Sequence, residues 1–243
     1  MLSLVFQLVM RLAYGGAVAD VKRPSRAEKA RQTRTRMIGT ARELFLAQGW
    51  AATTMEQIAQ GSGVAVQTVY YTFRTKGHLL AEVVDVTAAG NDTPDLPIQR
   101  PWAPEMLSSR SPQRVLALGV EHGTAIYERV AHLWPVIISA VADPAVAGYW
   151  HDVHAGRRAG QGAMIRHLRD IGSLRASLHT EKATELVFLL AGHDPYRTLV
   201  LDAGWTVPEY KAWLFTTLVQ QLLKPQALNP AATSDLSFGS WPG

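Results

Sequence analysis

Two short apolar-periodic segments joined by Gly61-Ser62-Gly63-Val64-Ala65 constrain this chain more than any other feature. Upstream, Met37, Ile38, Ala41, Leu44 and Phe45 recur three and four apart, which predicts one apolar stripe on a first helix. Gly49 stands where a left-handed C-cap is expected to end it. Thr53-Thr54-Met55-Glu56 has the form of a capping box, with a Thr hydroxyl accepting from the backbone three residues on and Glu56 reaching back. Met55, Ile58 and Ala59 form the inward side of the second helix, and Gly61-Ser62-Gly63 stops it. A third helix over 66–73 turns Val64, Val69 and Phe73 inward. Lys76 and Gly77 open a fourth, with Leu79, Leu80, Val83 and Val84 apolar, leading away into the rest of the chain.

The pair of helices around the glycine turn is a helix-turn-helix candidate, although many helical corners share such a turn. The third helix adds the chemistry. Val66-Gln67-Thr68 and Tyr70-Tyr71-Thr72 present polar side chains opposite Val69 and Phe73, a face able to meet a major groove. Gln67 offers a paired donor and acceptor suited to adenine, and threonine methyls can touch thymine. The tyrosine hydroxyls and Lys76 are placed for phosphates, contacts that set register and affinity more than sequence.

Residues 36–84 resemble the DNA-binding head of the TetR family of regulators. Thr54-Met55-Glu56-Gln57-Ile58-Ala59, Gly63-Val64 and Thr68-Val69-Tyr70-Tyr71-Thr72-Phe73-Arg74-Thr75-Lys76 carry the resemblance. It implies an all-α homodimer with two heads and a C-terminal ligand-binding domain. Carried over by position, Thr54, Gln67, Thr68, Tyr70, Tyr71 and Lys76 are DNA-contacting residues. Bases would be met by Gln67, Thr68 and Tyr71, and phosphates by Thr54, Tyr70 and Lys76. Two positions depart from the family pattern. Ala65 stands where serine is frequent, removing an N-cap worth about 1 kcal/mol. Gly77 replaces an acidic residue, and both changes are expected to leave the head less rigid.

Composition bounds the remaining classes. The chain has 243 residues, a net charge of +4 and no cysteine, which removes thiol nucleophiles, zinc fingers and disulfide scaffolds and fits a reducing cytoplasm. Lys22, Arg23, Arg26, Lys29, Arg31, Arg34 and Arg36 are opposed only by Glu28; the stretch reads equally as a polyanion-binding arm or a solvated tail. Before about Val21, the apolar run from Leu2 to Leu12 lacks a preceding basic residue and is shorter than the ~20 residues a membrane span needs. Residues 1–21 are read as an extension, disordered or from an upstream start codon, or as a weak amphipathic helix. No membrane association is expected.

The expected layout is all-α. A helix-turn-helix domain over 22–88 is followed by a proline-rich connection over 89–112, a helical effector-binding and dimerisation domain over 113–224, and a disordered tail over 225–243. Helices are expected near 113–132, 134–142, 144–171, 180–191, 196–203 and 207–223, the last opened by a second capping box at Thr206-Val207-Pro208-Glu209. The last helix carries Tyr210, Trp213, Leu214, Phe215, Leu218, Val219, Leu222 and Leu223, an arc wider than one core face needs. A homodimer interface explains it, with a thick core as the rival. The helix bearing Leu186 to Leu190 shares the pattern.

Tyr127, Trp134, Ile138, Trp150, His154 and Met164 are candidates for an apolar ligand pocket, although any single such residue is more often ordinary core. Arg157 and Arg158 could attract an acidic effector; paired helical arginines are more often solvated. His151 and His154 lack a third ligand, so neither a metal nor another cofactor is expected. No elbow, phosphate loop or metalloprotease motif suggests an enzyme. The sequence therefore predicts a regulator released from a palindromic double-stranded operator by a small lipophilic effector. The alternatives are an effector-independent activator, or a small-molecule-binding protein or enzyme with a vestigial head.

Overall fold

A computed structural model of the chain describes residues 25–90 and 102–225. The N-terminal extension, Lys22, Arg23, the centre of the proline-rich connection and nearly all of the tail lie outside the described residues. The chain divides into two compact units, residues 1–34 and 35–243. The described part of the first opens a helix: Ser25 Oγ accepts from Glu28 N–H at 3.1 Å, and Arg31 Nη2 pairs with Glu28 at 2.8 Å.

The described residues are helical apart from turns and an isolated bridge, Leu174 to Leu223. The head comprises α1 (Arg26–Ala52), α2 (Met55–Ser62), α3 (Val66–Phe73) and α4 (Lys76–Ala89). The body follows as α5 (Trp102–Ser108), α6 (Pro112–Val130), a 3-10 turn (Ala131–Leu133), α7 (Trp134–Ala140) and α8 (Pro144–Asp170). It ends with α9 (Thr180–Leu190), α10 (His193–Tyr196), a π-helical turn (Arg197–Asp202) and α11 (Val207–Leu222). Among the described residues, no helix is long and apolar enough to cross a membrane.

Two apolar cores hold these elements. In the head core, Phe45, Ile58, Val69 and Leu79 are fully buried, and Leu133, Ile137 and Val146 join from the body. Each such side chain contributes about 1.5–3 kcal/mol through burial. The body core centres on Leu116, Ile165, Leu168, Tyr210 and Leu218.

Local details differ from the sequence pattern for physical reasons. Gly49 does take a positive φ, 77°, and kinks α1 where the cap was expected. The capping box lies one residue later than expected: Thr54 is the N-cap and Gln57, not Glu56, reaches back. Thr53 is unavailable because it is buried and donates its hydroxyl to Gly49 O at 2.8 Å. The proline-rich connection contains α5, since Pro104 falls in the first turn, where a helix leaves its N–H groups unpaired anyway. Ala103 and Met106 give α5 a buried face. The helix expected over 196–203 is instead one α-turn that widens into the π-turn.

Of the eight apolar residues in the last helical stretch, seven are buried within this chain and Trp213 is half-buried. The monomer core thus consumes the arc that suggested a partner. On α9, by contrast, Leu189 remains 66 % exposed.

Gly77, expected only to make the head less rigid, also permits a close approach between α4 and α8. A Cβ there would overlap the carboxylate of Asp143 and stand 3.0 Å from Ala145 Cβ. Asp143 is the N-cap of α8, accepting from Ala145 N–H at 2.9 Å. The missing side chain lets the first turn of α4 abut the capped start of α8. Gly77→Ala should therefore disturb that cap and lower stability by about 1–3 kcal/mol, the range for overpacking. Denaturant unfolding checks this; an unchanged or raised midpoint would contradict the close approach.

Candidate functional site

The candidate recognition surface is built on α3. Val69 and Phe73 are buried in the head core, which turns Gln67, Thr68, Tyr70 and Tyr71 outward. Tyr71 is 90 % exposed and Tyr70 45 %, so neither tyrosine is core. Both rings are therefore open to solvent on the outer face of α3. Gly63, with φ 66°, supplies the turn into α3 and donates to Gln60 O at 3.2 Å. Ala65 provides no side-chain cap, as its identity requires.

The far end of α3 stops abruptly. Arg74 has φ 64° and ψ −56°, and Thr75 N–H donates to Phe73 O at 2.7 Å, a γ-turn of the strained kind. Thr75 then caps α4 by accepting from His78 N–H at 3.1 Å.

Thr54 and Lys76, expected at phosphates, have structural duties. The Thr54 hydroxyl accepts from Gln57 N–H at 3.2 Å, leaving its own proton to donate. Lys76 Nζ donates to Trp50 O at 2.8 Å and Thr53 O at 2.9 Å and lies 4.1 Å from the Trp50 ring centroid. Burial pulls its pKa down, while Asp143 opposes. Two of its three protons thus bind the end of α1 rather than reach outward. Arg36, counted within the basic arm, similarly donates Nε to Ser62 O at 2.8 Å and closes the end of α2.

A second constellation lies where the two cores meet. Trp134 stacks on His193 with centroids 3.3 Å apart and meets Trp150 at 4.8 Å. Trp150 contacts His154 at 4.3 Å, and His154 meets the Phe188 ring edge-on at 5.5 Å. Tyr127 lies 6.3 Å from His193 and 6.1 Å from Tyr196, which in turn contacts Tyr210 at 5.2 Å. Four of the six residues expected at a pocket, Tyr127, Trp134, Trp150 and His154, are therefore brought together. Ile138 is not among them, being 52 % exposed on α7, and Met164 is buried in the body core.

Arg157 is a member that the sequence left undecided. Nη1 donates to Tyr127 Oη at 2.8 Å, Nη2 to Phe188 O at 3.1 Å, and the guanidinium lies 3.7 Å from the Phe188 centroid. The sequence did not single out Phe188, His193 or Tyr196 for this cluster. The signal was the spacing Trp150, His154, Arg157, Gln161, four, three and four apart, which places all four on one face of α8. His151, outside that face, gathers no metal set; among the described residues no group of three acidic or histidine side chains could hold an ion.

His193 is 5 % exposed, with Nδ1 3.6 Å from the Asp194 carboxylate, beyond hydrogen-bond length. Burial pulls its pKa to about 4; Asp194 pulls upward, and Arg197 and Arg157 downward. Burial likewise lowers His154, with Arg157 and Arg158 adding to it, and raises the Tyr127 and Tyr210 phenols.

A turn-linked pair of short helices with an exposed polar and aromatic face, set on an all-helical body, defines a helix-turn-helix protein. The head is similar to that of the tetR family of bacterial regulatory proteins, whose model matches residues 38–83. The resemblance drawn from residues 36–84 is thereby borne out. Two curated relatives from Pseudomonas putida, the uncharacterized HTH-type transcriptional regulator TtgW and the HTH-type transcriptional regulator SrpR, are each 39 % identical over 79 residues. These matches take in 31 % of this chain, 59 % of TtgW and 37 % of SrpR. The fold likeness runs further. The complex of SmeT with triclosan superposes with a TM-score of 0.64 at 16 % identity, covering 87 % of this chain and 98 % of SmeT. SmeT is the repressor of the Stenotrophomonas maltophilia multidrug efflux pump SmeDEF.

Lys76→Met should lower stability by about 1.5–3 kcal/mol, the worth of hydrogen bonds to a charged group, and urea unfolding reads it. An unchanged midpoint would show the two carbonyls need no such donor. His193 gives a pH signature. Its pKa is about 6.5 in the unfolded chain and about 4 in the folded one, so the unfolded chain binds the extra proton between these values. Stability present above pH 6.5 is therefore lost as pH falls towards 4. His193→Phe should flatten that slope, and parallel pH profiles for both proteins would contradict the assignment.

Proposed function

We propose that this chain is a dimeric, one-component transcriptional regulator, a repressor released from a palindromic operator by a small lipophilic effector. Gln67, Thr68 and Tyr71 would read bases, with Thr54 and Tyr70 holding phosphates. Lys76 would serve them indirectly by fixing α4 to the end of α1, with one proton left for a phosphate. The relatives' names and SmeT's role support the regulatory reading, and the complex of SmeT with triclosan supports a small-molecule effector.

One observation carries the switching mechanism: the two helices that line the aromatic cluster also grip α4. Tyr149 of α8 donates its hydroxyl to Asp85 Oδ1 at 2.7 Å, one residue before Trp150. On α6, Arg129 donates Nε to Ala88 O at 3.0 Å, two residues beyond Tyr127. The first turn of α4 meets Asp143 through Gly77. An effector that moves α6 against α8 would carry α4, and with it α3, in each subunit. Two recognition helices that match successive major grooves, about 34 Å apart, would then no longer do so. The dimer would form through α9 and the outer side of α11, where Leu189 lies uncovered.

Selection of bound duplexes from a random pool at physiological salt tests the reading. Enrichment of a palindrome is expected, with affinity falling steeply as salt rises. Gln67→Ala should cost about 1–3 kcal/mol and relax preference at one position of each half-site. Failure of a folded dimer to enrich any sequence would overturn it.

A further inference from the structure

The polar atoms buried around the aromatic cluster describe a ligand. Arg157 Nε, Tyr210 Oη, Thr124 Oγ1, Gln161 Oε1 and both ring nitrogens of His193 are buried without a hydrogen-bond partner. Thr124 and Tyr127 share a face of α6, as Arg157 and Gln161 share one of α8. Tyr210 is fully buried, Thr124 is 1 % exposed and His193 5 %. Buried polar groups normally find partners, because each orphan forfeits its hydration. Several orphans at one aromatic junction are therefore unlike an ordinary core.

Their chemistry has a sign. Arg157 carries a permanent charge, and among the described residues no carboxylate pairs with it; its named partners are a phenol, a carbonyl and the Phe188 ring face. A partly buried guanidinium without a counter-ion calls for an anion. Beside it, Trp134, Trp150 and His193 form an aromatic stack whose chemistry suits an inserted flat ring, while Arg158 lies with Arg157 over Phe188. Tyr210 and Thr124 can donate to an oxygen, and Gln161 Oε1 can accept from a hydroxyl. His193, held neutral at pH 7 by its burial, adds one donor and one acceptor without adding charge.

We propose that this cluster is a binding site for a planar aromatic carboxylate, with its ring among Trp134, Trp150 and His193 and its anionic oxygens on Arg157. The Trp134–His193 stack would part around the ring. The proposal rests on the effector-responsive reading above and narrows it from a lipophilic molecule to an aromatic acid. Two open surface clefts, one lined by Arg169, Arg175 and Lys224 and the other by Arg110 and His167, contain none of these residues.

Calorimetric titration of the full chain with benzoate, 4-hydroxybenzoate and 2-naphthoate, each beside its neutral carboxamide, tests the assignment. At least one acid should bind tenfold or more tightly than its amide. Arg157→Gln should erase that preference, and Arg157→Lys should retain part of it. Tyr210→Phe, which keeps the ring, should weaken the acid several-fold if Arg157 variants fail to fold. Amides binding as well as acids, or no binding by either series, would overturn the proposal. Affinity for the selected duplex, measured in parallel, separates the two readings. Acids that bind through Arg157 without changing DNA affinity uphold the site and sink the effector switch. Amides that bind and release DNA uphold the switch and sink the acid.

Discussion

The close approach of Gly77 to the Asp143-capped start of α8 governs how the rest of this molecule can work. A side chain at position 77 would hold α4 away from α8, and α4 is what α3 is attached to. The strained turn at Arg74 and the Thr75 cap leave almost no slack between them. Farther along, Tyr149 and Arg129 fasten α4 to α8 and α6. The same two helices supply Trp150, Arg157 and Tyr127 to the aromatic cluster. The head is thus joined to the helices of the cluster by short, directional contacts.

The aromatic cluster is uneven in what it satisfies. Its rings are packed, with Trp134 against His193, yet its polar atoms are left wanting. A fully satisfied site would have nothing to gain from a ligand, whereas orphaned donors gain partners when one arrives. Arg157 sits at the centre of this imbalance, stacked on Phe188 and joined to Tyr127, with Nε still unmatched.

Much of the head was legible in the sequence because its determinants are local. Apolar spacing three and four apart, the glycine at 63 and a threonine cap need no distant partner to be understood. The errors there came from long-range competition. Thr53 lost the capping role because its hydroxyl was already bonded to Gly49 O, and Lys76 turned inward because the carbonyls of Trp50 and Thr53 lie within reach. Gly77 resembled a defect until α8 was seen against it. In the body, Trp134, Trp150, His154 and Tyr127 were identified by residue type and helical position. Ile138 and Met164 were not separable from them without tertiary structure. Arg157 and Arg158 were noted as able to attract an acidic effector, but a pair of adjacent arginines does not reveal in sequence that both lie over Phe188. The apolar arc of α11 suggested a partner, but the chain's own core takes up most of it.

The account stands or falls on whether the recognition helices of two subunits form a geometry that the body controls. The chain contains no cysteine, so a single Glu43→Cys substitution on the exposed side of α1, away from the residues assigned to DNA, allows one spin label per head. Pulsed dipolar spectroscopy on the selected duplex should give one narrow distance distribution, because successive major grooves would fix both heads. Adding Gly77→Ala in the absence of DNA should broaden or shift the distribution relative to the label alone. No measurable pair distance, or a distribution indifferent to position 77, would contradict it.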